Sequence, residues 1–285
     1  MELAIECGAC AAIQLSRTLS ARSRDDWQPA YTRAFGAIAA SLDRRAEPAE
    51  VLSALYGSVA ASLQDDDFYQ AAKDTANASA EAWFSQQGPP LADLESRILL
   101  AAAANAIDAG VDVEPAVVFA HFEQAAADPP GRDDRAEFLK FYESLAAPRV
   151  LYLLDNAGEA VFDREVMRAL QHRGADITAV VRQEAVLNDV TAREAECLAL
   201  HEVASVTTTR SPGYGLAAFA DSAWSTSLFG AAHLVIAKGI ANLETLSHRR
   251  LPCPILFLYR AKCEPSARAG QAARGSTVIW WRPAS

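Results

Sequence analysis

The sequence predicts an α/β protein: an all-helical first half, then βαβ units whose mainly parallel sheet is covered on both faces. Two observations carry that expectation. Residues 1–146 are rich in Ala, Leu, Asp and Glu and have few β-branched runs. From residue 147 to 285, short apolar runs alternate with amphipathic stretches, the pattern of buried strands joined by helices. The division 1–146 and 147–285 therefore separates an expected helical part from an expected α/β/α part.

In the first half, Val51, Leu55, Val59 and Leu63 recur every fourth residue, the spacing of one helix face. Leu94, Ile98, Ala101, Ala102 and Asn105 mark a second helix, and Phe138, Phe141 and Leu145 a third. Gly88-Pro89-Pro90 and Pro129-Pro130-Gly131 separate helices, since such dipeptides punctuate regular structure. In the second half, residues 149–154 read as a buried strand ending at Asp155. Residues 159–173 read as an amphipathic helix with Phe162, Val166 and Leu170 on one stripe. Further strands are expected at 177–181, 203–207, 234–237, 255–259 and 277–281, with a helix at about 191–200. Trp280 and Trp281 should finish the last strand, one ring on each face.

At 285 residues the chain can bury a sizeable core, and 51% hydrophobic and 22% charged residues is an ordinary globular composition. The net charge of −10 argues against nucleic acid as a partner, because that binding needs basic surface to displace counterions. It leaves room for an anionic substrate, since a metal and a few local cations reverse the field inside a cleft. No apolar run reaches membrane-spanning length, and Met1 to Cys7 lacks the basic start of a signal peptide. Five cysteines, few and odd in number, point to a reduced, cytoplasmic setting.

Ligands of open α/β sheets bind at the carboxyl ends of the strands, so the polar residues falling there are the candidates. After the first strand come Asp155, Asn156, Gly158 and Glu159; after the second, Arg182, Asn188 and Asp189; after the fourth, Lys238, Gly239, Asn242 and Glu244; after the fifth, Arg260 and Lys262. Asp155, Asn156 and Asp189 are hard oxygen donors, a set that suits Mg²⁺ or Mn²⁺. A cation there can polarise a phosphoryl oxygen and activate water. Lys238 is expected to offer a point charge to phosphate, and Gly239 a close backbone approach. Asn105 or Asp108 from the helical half would complete the cleft wall. Substrate contact is expected of Asn105, Asp108, Glu159, Arg182, Asn188, Gly239, Asn242 and Lys262. The plainer alternatives are a turn or helix cap at Asp155-Asn156, a cap at Asp189, and a left-handed turn residue at Asn188.

At these residues the sequence resembles the metal-dependent damage-control phosphatases, in their short, mostly prokaryotic branch. The run Leu154-Asp155-Asn156-Ala157-Gly158-Glu159 with Phe162-Asp163 carries the first block. Val181-Arg182 with Leu187-Asn188-Asp189-Val190-Thr191 carries the second, Ala237-Lys238-Gly239 with Asn242-Leu243-Glu244-Thr245-Leu246 the third, and Ala261-Lys262-Cys263-Glu264-Pro265 the fourth. In the first half, Glu6-Cys7-Gly8-Ala9-Cys10 with Gln14, Asp67-Phe68-Tyr69 with Lys73 and Asn77, and Asn105-Ala106-Ile107-Asp108 with Gly110 are similar too. The resemblance implies a helical N-terminal part packed on an α/β/α domain and a divalent cation (Mg, Mn, Co or Ni) on Asp155, Asn156 and Asp189. It also implies phosphate contact at Lys238 and hydrolysis of sugar phosphates or damaged phospho-metabolites. Departures at Ala104, Gln183-Glu184-Ala185, His233 and Ile240-Ala241 bear on the substrate more than on the metal.

Two other classes fit parts of the pattern: an S-adenosylmethionine-dependent carboxyl methyltransferase, and a non-catalytic metal- or metabolite-binding module. The first strand lacks a Gly-x-Gly-x-x-Gly turn, which weakens the methyltransferase reading. Cys7 and Cys10 have redox-pair or half-zinc-site spacing, with no second such pair; a buried, inert pair is expected. His121, His172, His201 and His248 lack spaced partners. The stretch 211–215 reads as a surface turn or a substrate loop.

Overall fold

The computed structural model describes residues 1, 3–20, 22–43, 46–87, 93–107, 114–211, 220 and 222–284. The Gly88-Pro89-Pro90 breaker, Asp108, Gly110 and residues 212–215 lie outside them. In chain order the elements are α1 (Ile5–Leu19), α2 (Arg24–Asp43), α3 (Pro48–Leu63), α4 (Gln70–Gln87), α5 (Leu94–Ala103), α6 (Pro115–Ala127), β1 (Arg132–Asp133) and α7 (Arg135–Glu143). Then follow β2 (Arg149–Leu153), α8 (Glu159–His172), β3 (Asp176–Val181), α9 (Ala192–Cys197), β4 (Ser205–Thr208), α10 (Ala223–Ala231), β5 (Leu234–Lys238), α11 (Gly239–Leu246), β6 (Ile255–Arg260), α12 (Glu264–Gly270) and β7 (Thr277–Arg282).

The seven strands form one sheet in the order β1-β7-β6-β5-β2-β3-β4. Every pairing is parallel except β6 with β7. The order runs outward from β2 in both directions, so the crevice between β2 and β5 is a topological switch point, where open sheets bind ligands. The mixed α/β fold with a mainly parallel sheet is as the sequence predicts. One correction concerns the first half, which is not purely helical: Arg132–Asp133 pairs with Val278–Ile279 at the sheet edge. Two residues are too few to leave a periodic signal.

Alternation along the strands sorts side chains into two cores. Val150 and Tyr152 of β2, Leu234 and Ile236 of β5, and Leu256 and Leu258 of β6 pack with α5, α6, α7 and α8. Leu151, Leu153, Val235, Ala237, Ile255, Phe257 and Tyr259 face α10, α11 and α12. Helices α1 to α3 hold a core of their own, which also takes in Val186 from the loop after β3. Thus α5 to α7 share the sheet's core, whereas α1 to α3 form a third cluster beside the strand tips. Helices α10, α11 and α12 had no counterpart among the sequence-derived elements. They are short, and α11 is buried at Gly239, Ala241, Asn242, Leu243, Glu244, Thr245 and Leu246, so it lacks the polar face that makes a helix periodic.

Candidate active site

The strand tips bring Asp155, Asn156 and Asp189 together. Asn156 and Asp189 form an isolated antiparallel bridge, with Asn188 O accepting from Ala157 N at 2.8 Å and Asp155 O from Val190 N at 2.8 Å. None of the three caps a helix: Gly158 occupies the cap position of α8 and Thr191 that of α9. The left-handed residue of the second loop is Leu187 (φ 50°), not Asn188.

Both carboxylates face one guanidinium. Arg182 Nε donates to Asp189 Oδ2 at 2.5 Å, while Arg182 Nη2 lies 4.0 Å from Asp155 Oδ1. All three side chains are buried. Asp155 Oδ2 accepts from Asn105 Nδ2 at 3.1 Å and Asn156 Nδ2 at 2.9 Å. Burial, and then the negative charges of Asp189 and Glu159, push the Asp155 carboxyl well above the usual carboxylate range, against the pull of Arg182 and Lys262. The backbone of Gly239 (φ 72°) passes so close that a Cβ there would sit 1.8 Å from Asp155 Oδ2. Glycine at 239 is what allows β5 and the Asp155 carboxylate to share the crevice.

A second cluster of acids lies deeper. The Lys238 ammonium is surrounded by Glu159 Oε1 at 2.6 Å, Asp163 Oδ1 at 2.7 Å and Ala101 O at 2.7 Å. Tyr152 OH donates to Asp163 Oδ1 at 2.7 Å. Burial opposes the Lys238 charge, yet Asp163 and Glu159 hold its pKa above the ordinary value. Asp163, raised by burial and by Glu159 against the pull of Lys238, sits at about 6.

This packing corrects several expectations of substrate contact. Lys238 is fully buried, hydrogen-bonded to Ala101 O and Asp163 and ion-paired with Glu159, so its charge is directed at these internal partners rather than at a phosphate. It faces inward because alternation puts it on the same side as Leu234 and Ile236. Glu159, also fully buried, accepts from Asn105 at 2.9 Å and Asn156 at 3.2 Å. Asn105 is a brace rather than a cleft wall: its Oδ1 accepts from Arg260 N at 2.9 Å, tying β6 to Asp155. Asn242 Nδ2 donates to Leu153 O, Leu154 O and Lys238 O at 3.3, 3.2 and 2.7 Å, lacing the β2 and β5 tips together. Asn188 is different: its buried Nδ2 has no hydrogen-bond partner among the described residues. Lys262 is half-buried and its charge reaches Asp155. Asp163 and Tyr152 were missed as site-building residues. Asp163 sits four residues after Glu159, one helical turn along the same face, a polar residue where the pattern asks for an apolar one.

The chemistry of this donor set fits a hard divalent cation. Two carboxylates and an amide meet at one tip, and the Asn156 amide nitrogen is already donating to Asp155 and Glu159; its carbonyl oxygen is the atom left for a cation. A positive charge is also what the repelled Asp155 lacks. Among the described residues no group of three or more His, Cys, Asp and Glu is arranged to hold a metal. The candidate set has only two acids, and the thiols of the first helix do not form such a group either. Cys7 is half-buried and Cys10 exposed on the outer turn of α1, so the expectation of a buried pair does not hold. Partial burial raises the Cys7 thiol, with Glu244 and Cys263 adding to it.

A family model described as the damage-control phosphatase ARMT1-like domain matches residues 3–278. The chain belongs to this family. A damage-control phosphatase of Archaeoglobus fulgidus is 37% identical over 127 residues, 44% of each chain. Another, of Pyrococcus horikoshii, is 29% identical over 187 residues, 65% of this chain and 64% of that one. An uncharacterised protein of Methanocaldococcus jannaschii is 29% identical over 228 residues, 75% of this chain and 73% of that one. The crystal structure of a DUF89 family protein from Pyrococcus horikoshii superposes with a TM-score of 0.85 at 25% identity, covering 98% of both chains. These relatives support a phosphatase role in general. Among the described residues no helix is long and apolar enough to cross a membrane.

Proposed function

We propose that the chain is a divalent-metal-dependent phosphomonoester hydrolase acting on small phosphorylated metabolites, sugar phosphates or their damaged forms, in the cytoplasm. The observation that carries the proposal is the bridge between Asn156 and Asp189, which gathers two carboxylates and an amide beside one guanidinium at the switch point. Asp155, Asn156 and Asp189 would hold Mg²⁺, Mn²⁺, Co²⁺ or Ni²⁺. The cation would supply Lewis acidity toward a phosphoryl oxygen and make water more acidic. The chain's own residues do the rest. Arg182 orients Asp189, and the amide groups of Asn105 and Asn156 fix Asp155 Oδ2. Lys262 provides positive charge beside Asp155 for the substrate's phosphate, and Asn188 Nδ2 a donor for its oxygens. Such positioned charge accounts for most catalysis of phosphoryl transfer.

A panel of phosphate esters assayed against each of the four metals tests this. Turnover that requires added metal and vanishes with chelator is expected. Binding of S-adenosylmethionine by metal-free protein, with no ester hydrolysed, would overturn it.

A further inference from the structure

From the geometry we infer that helix α4 of the N-terminal half is the clamp that sets the metal site: Asn77 positions the Asp155-Asn156 turn, and Lys73, one helical turn earlier, positions the Asp189 loop. The inference rests on the proposed metal site. Asn77 and Lys73 are spaced four residues apart, so they share a face of α4, and both are buried. Asn77 Oδ1 accepts from Gly158 N at 2.6 Å. That amide belongs to the turn joining Asn156 to α8, and as a buried donor it needs an acceptor, which Asn77 supplies.

Contact at this point is close. Gly158 has φ 78°, and a Cβ there would meet Ala76 Cβ at 3.0 Å and Ile107 Cγ2 at 3.0 Å. The turn thus seats directly on α4. On the other side, Lys73 Nζ lies 2.5 Å from Asp67 Oδ2 and 3.2 Å from Glu194 Oε1. Glu194 Oε2 accepts from Thr191 N at 2.9 Å and Thr191 Oγ1 at 2.6 Å. Thr191 in turn bridges Arg182, the residue whose guanidinium holds Asp189. One face of one helix therefore grips both chain segments that bear the metal donors, from outside the cleft.

Asn77 and Lys73 are positioning residues, since neither touches the donors themselves. Groups bonded to metal ligands set donor orientation, and their loss weakens metal affinity about ten- to a hundredfold; Asn77 acts one step further out, through the Gly158 amide, so the low end of that range is expected. The test compares wild type, Asn77→Leu, which keeps the shape, and Asn77→Asp, which keeps the acceptor. Two readouts are taken: the Kd of Mn²⁺ by calorimetry, and hydrogen exchange of the Gly158 amide in metal-free protein. Asn77→Leu should raise the Kd about tenfold and expose the Gly158 amide, with its melting transition still cooperative; Asn77→Asp should restore both. Lys73→Met should likewise weaken Mn²⁺, with Lys73→Arg recovering part of it, and if Lys73→Met does not fold the Asn77 pair decides. Wild-type Mn²⁺ affinity in Asn77→Leu would overturn the clamp. Failure of wild type itself to bind Mn²⁺ would instead overturn the metal site, while the exchange readout still reports whether Asn77 holds the turn.

Discussion

Two clusters of buried acids lie side by side in this molecule, each with two carboxylates and one cation, and they are built differently. Around Lys238 the ammonium sits 2.6 and 2.7 Å from its two acids. Around Arg182 the guanidinium is 2.5 Å from Asp189 but 4.0 Å from Asp155. The first cluster is closed, with its ammonium against both acids and the Ala101 carbonyl; it joins α5, β5 and α8. The second leaves Asp155 repelled by its neighbours, a condition that a fold tolerates where chemistry needs it. Being polar at a strand tip therefore does not by itself mark a residue for the proposed site; the two clusters differ in how closely the cation meets both of its acids.

The comparison can be broken in the open cluster first. Asp155→Asn should cut phosphatase activity by about a thousandfold or more, since a metal's charge stabilisation is worth several kcal/mol. Steady-state kinetics at saturating metal measure it. The closed cluster should respond in stability instead. Lys238→Met strands Glu159 and Asp163 without their cation and should cost about 3–5 kcal/mol in urea unfolding. If that variant unfolds normally yet loses only activity, the distinction between the clusters is gone.

Two further buried acids sharpen the same contrast through pH. Although burial works against its charge, Glu194 is held at about 2 by Thr191, Lys73 and Gln70. Glu244 is pushed up to about 8 by burial, with the N-terminal ammonium opposing and Glu47 adding. A depressed folded pKa gives stability that is present above the unfolded value and lost as pH falls through the folded one. For Glu194 that loss spans about pH 4.5 down to 2. A raised folded pKa does the reverse, so the Glu244 contribution is present below about pH 4.5 and lost as pH rises toward 8. Each is worth at most a few kcal/mol, at 1.36 kcal/mol per pH unit of pKa difference. Melting curves from pH 2 to 9 should show Glu194→Gln flattening the acid limb and Glu244→Gln flattening the neutral one. The smallest expected effect is a gain: in metal-free protein near pH 7, Asp155→Asn should raise the melting temperature slightly, because it removes a charge that burial and Asp189 disfavour.

Much of this was legible in the sequence, and the rest was not, for a physical reason. The alternation of apolar runs and amphipathic stretches reveals the parallel sheet, and the strand-end rule picks out Asp155, Asn156 and Asp189. Direction is harder to read than position. Lys238 ends β5 and Asn242 lies within α11 just beyond it, but alternation turns Lys238 into the core, and the tight β2–β5 crevice draws Asn242 onto backbone carbonyls. Asp163 shows that one polar residue on an apolar helical stripe signals a buried partner. Asn77 is marked only by the family resemblance, and its role could not be read, because its partner is a backbone amide 81 residues away and backbone amides leave no trace in composition.

The central claim, that Asp155, Asn156 and Asp189 grip one divalent cation, is tested most directly by titrating metal-free protein with Mn²⁺ in a calorimeter. The account predicts one ion per wild-type chain, with affinity reduced about a hundredfold or more in both Asp155→Asn and Asp189→Asn, since charge count sets such affinities. Unchanged Mn²⁺ affinity in either folded variant would contradict it.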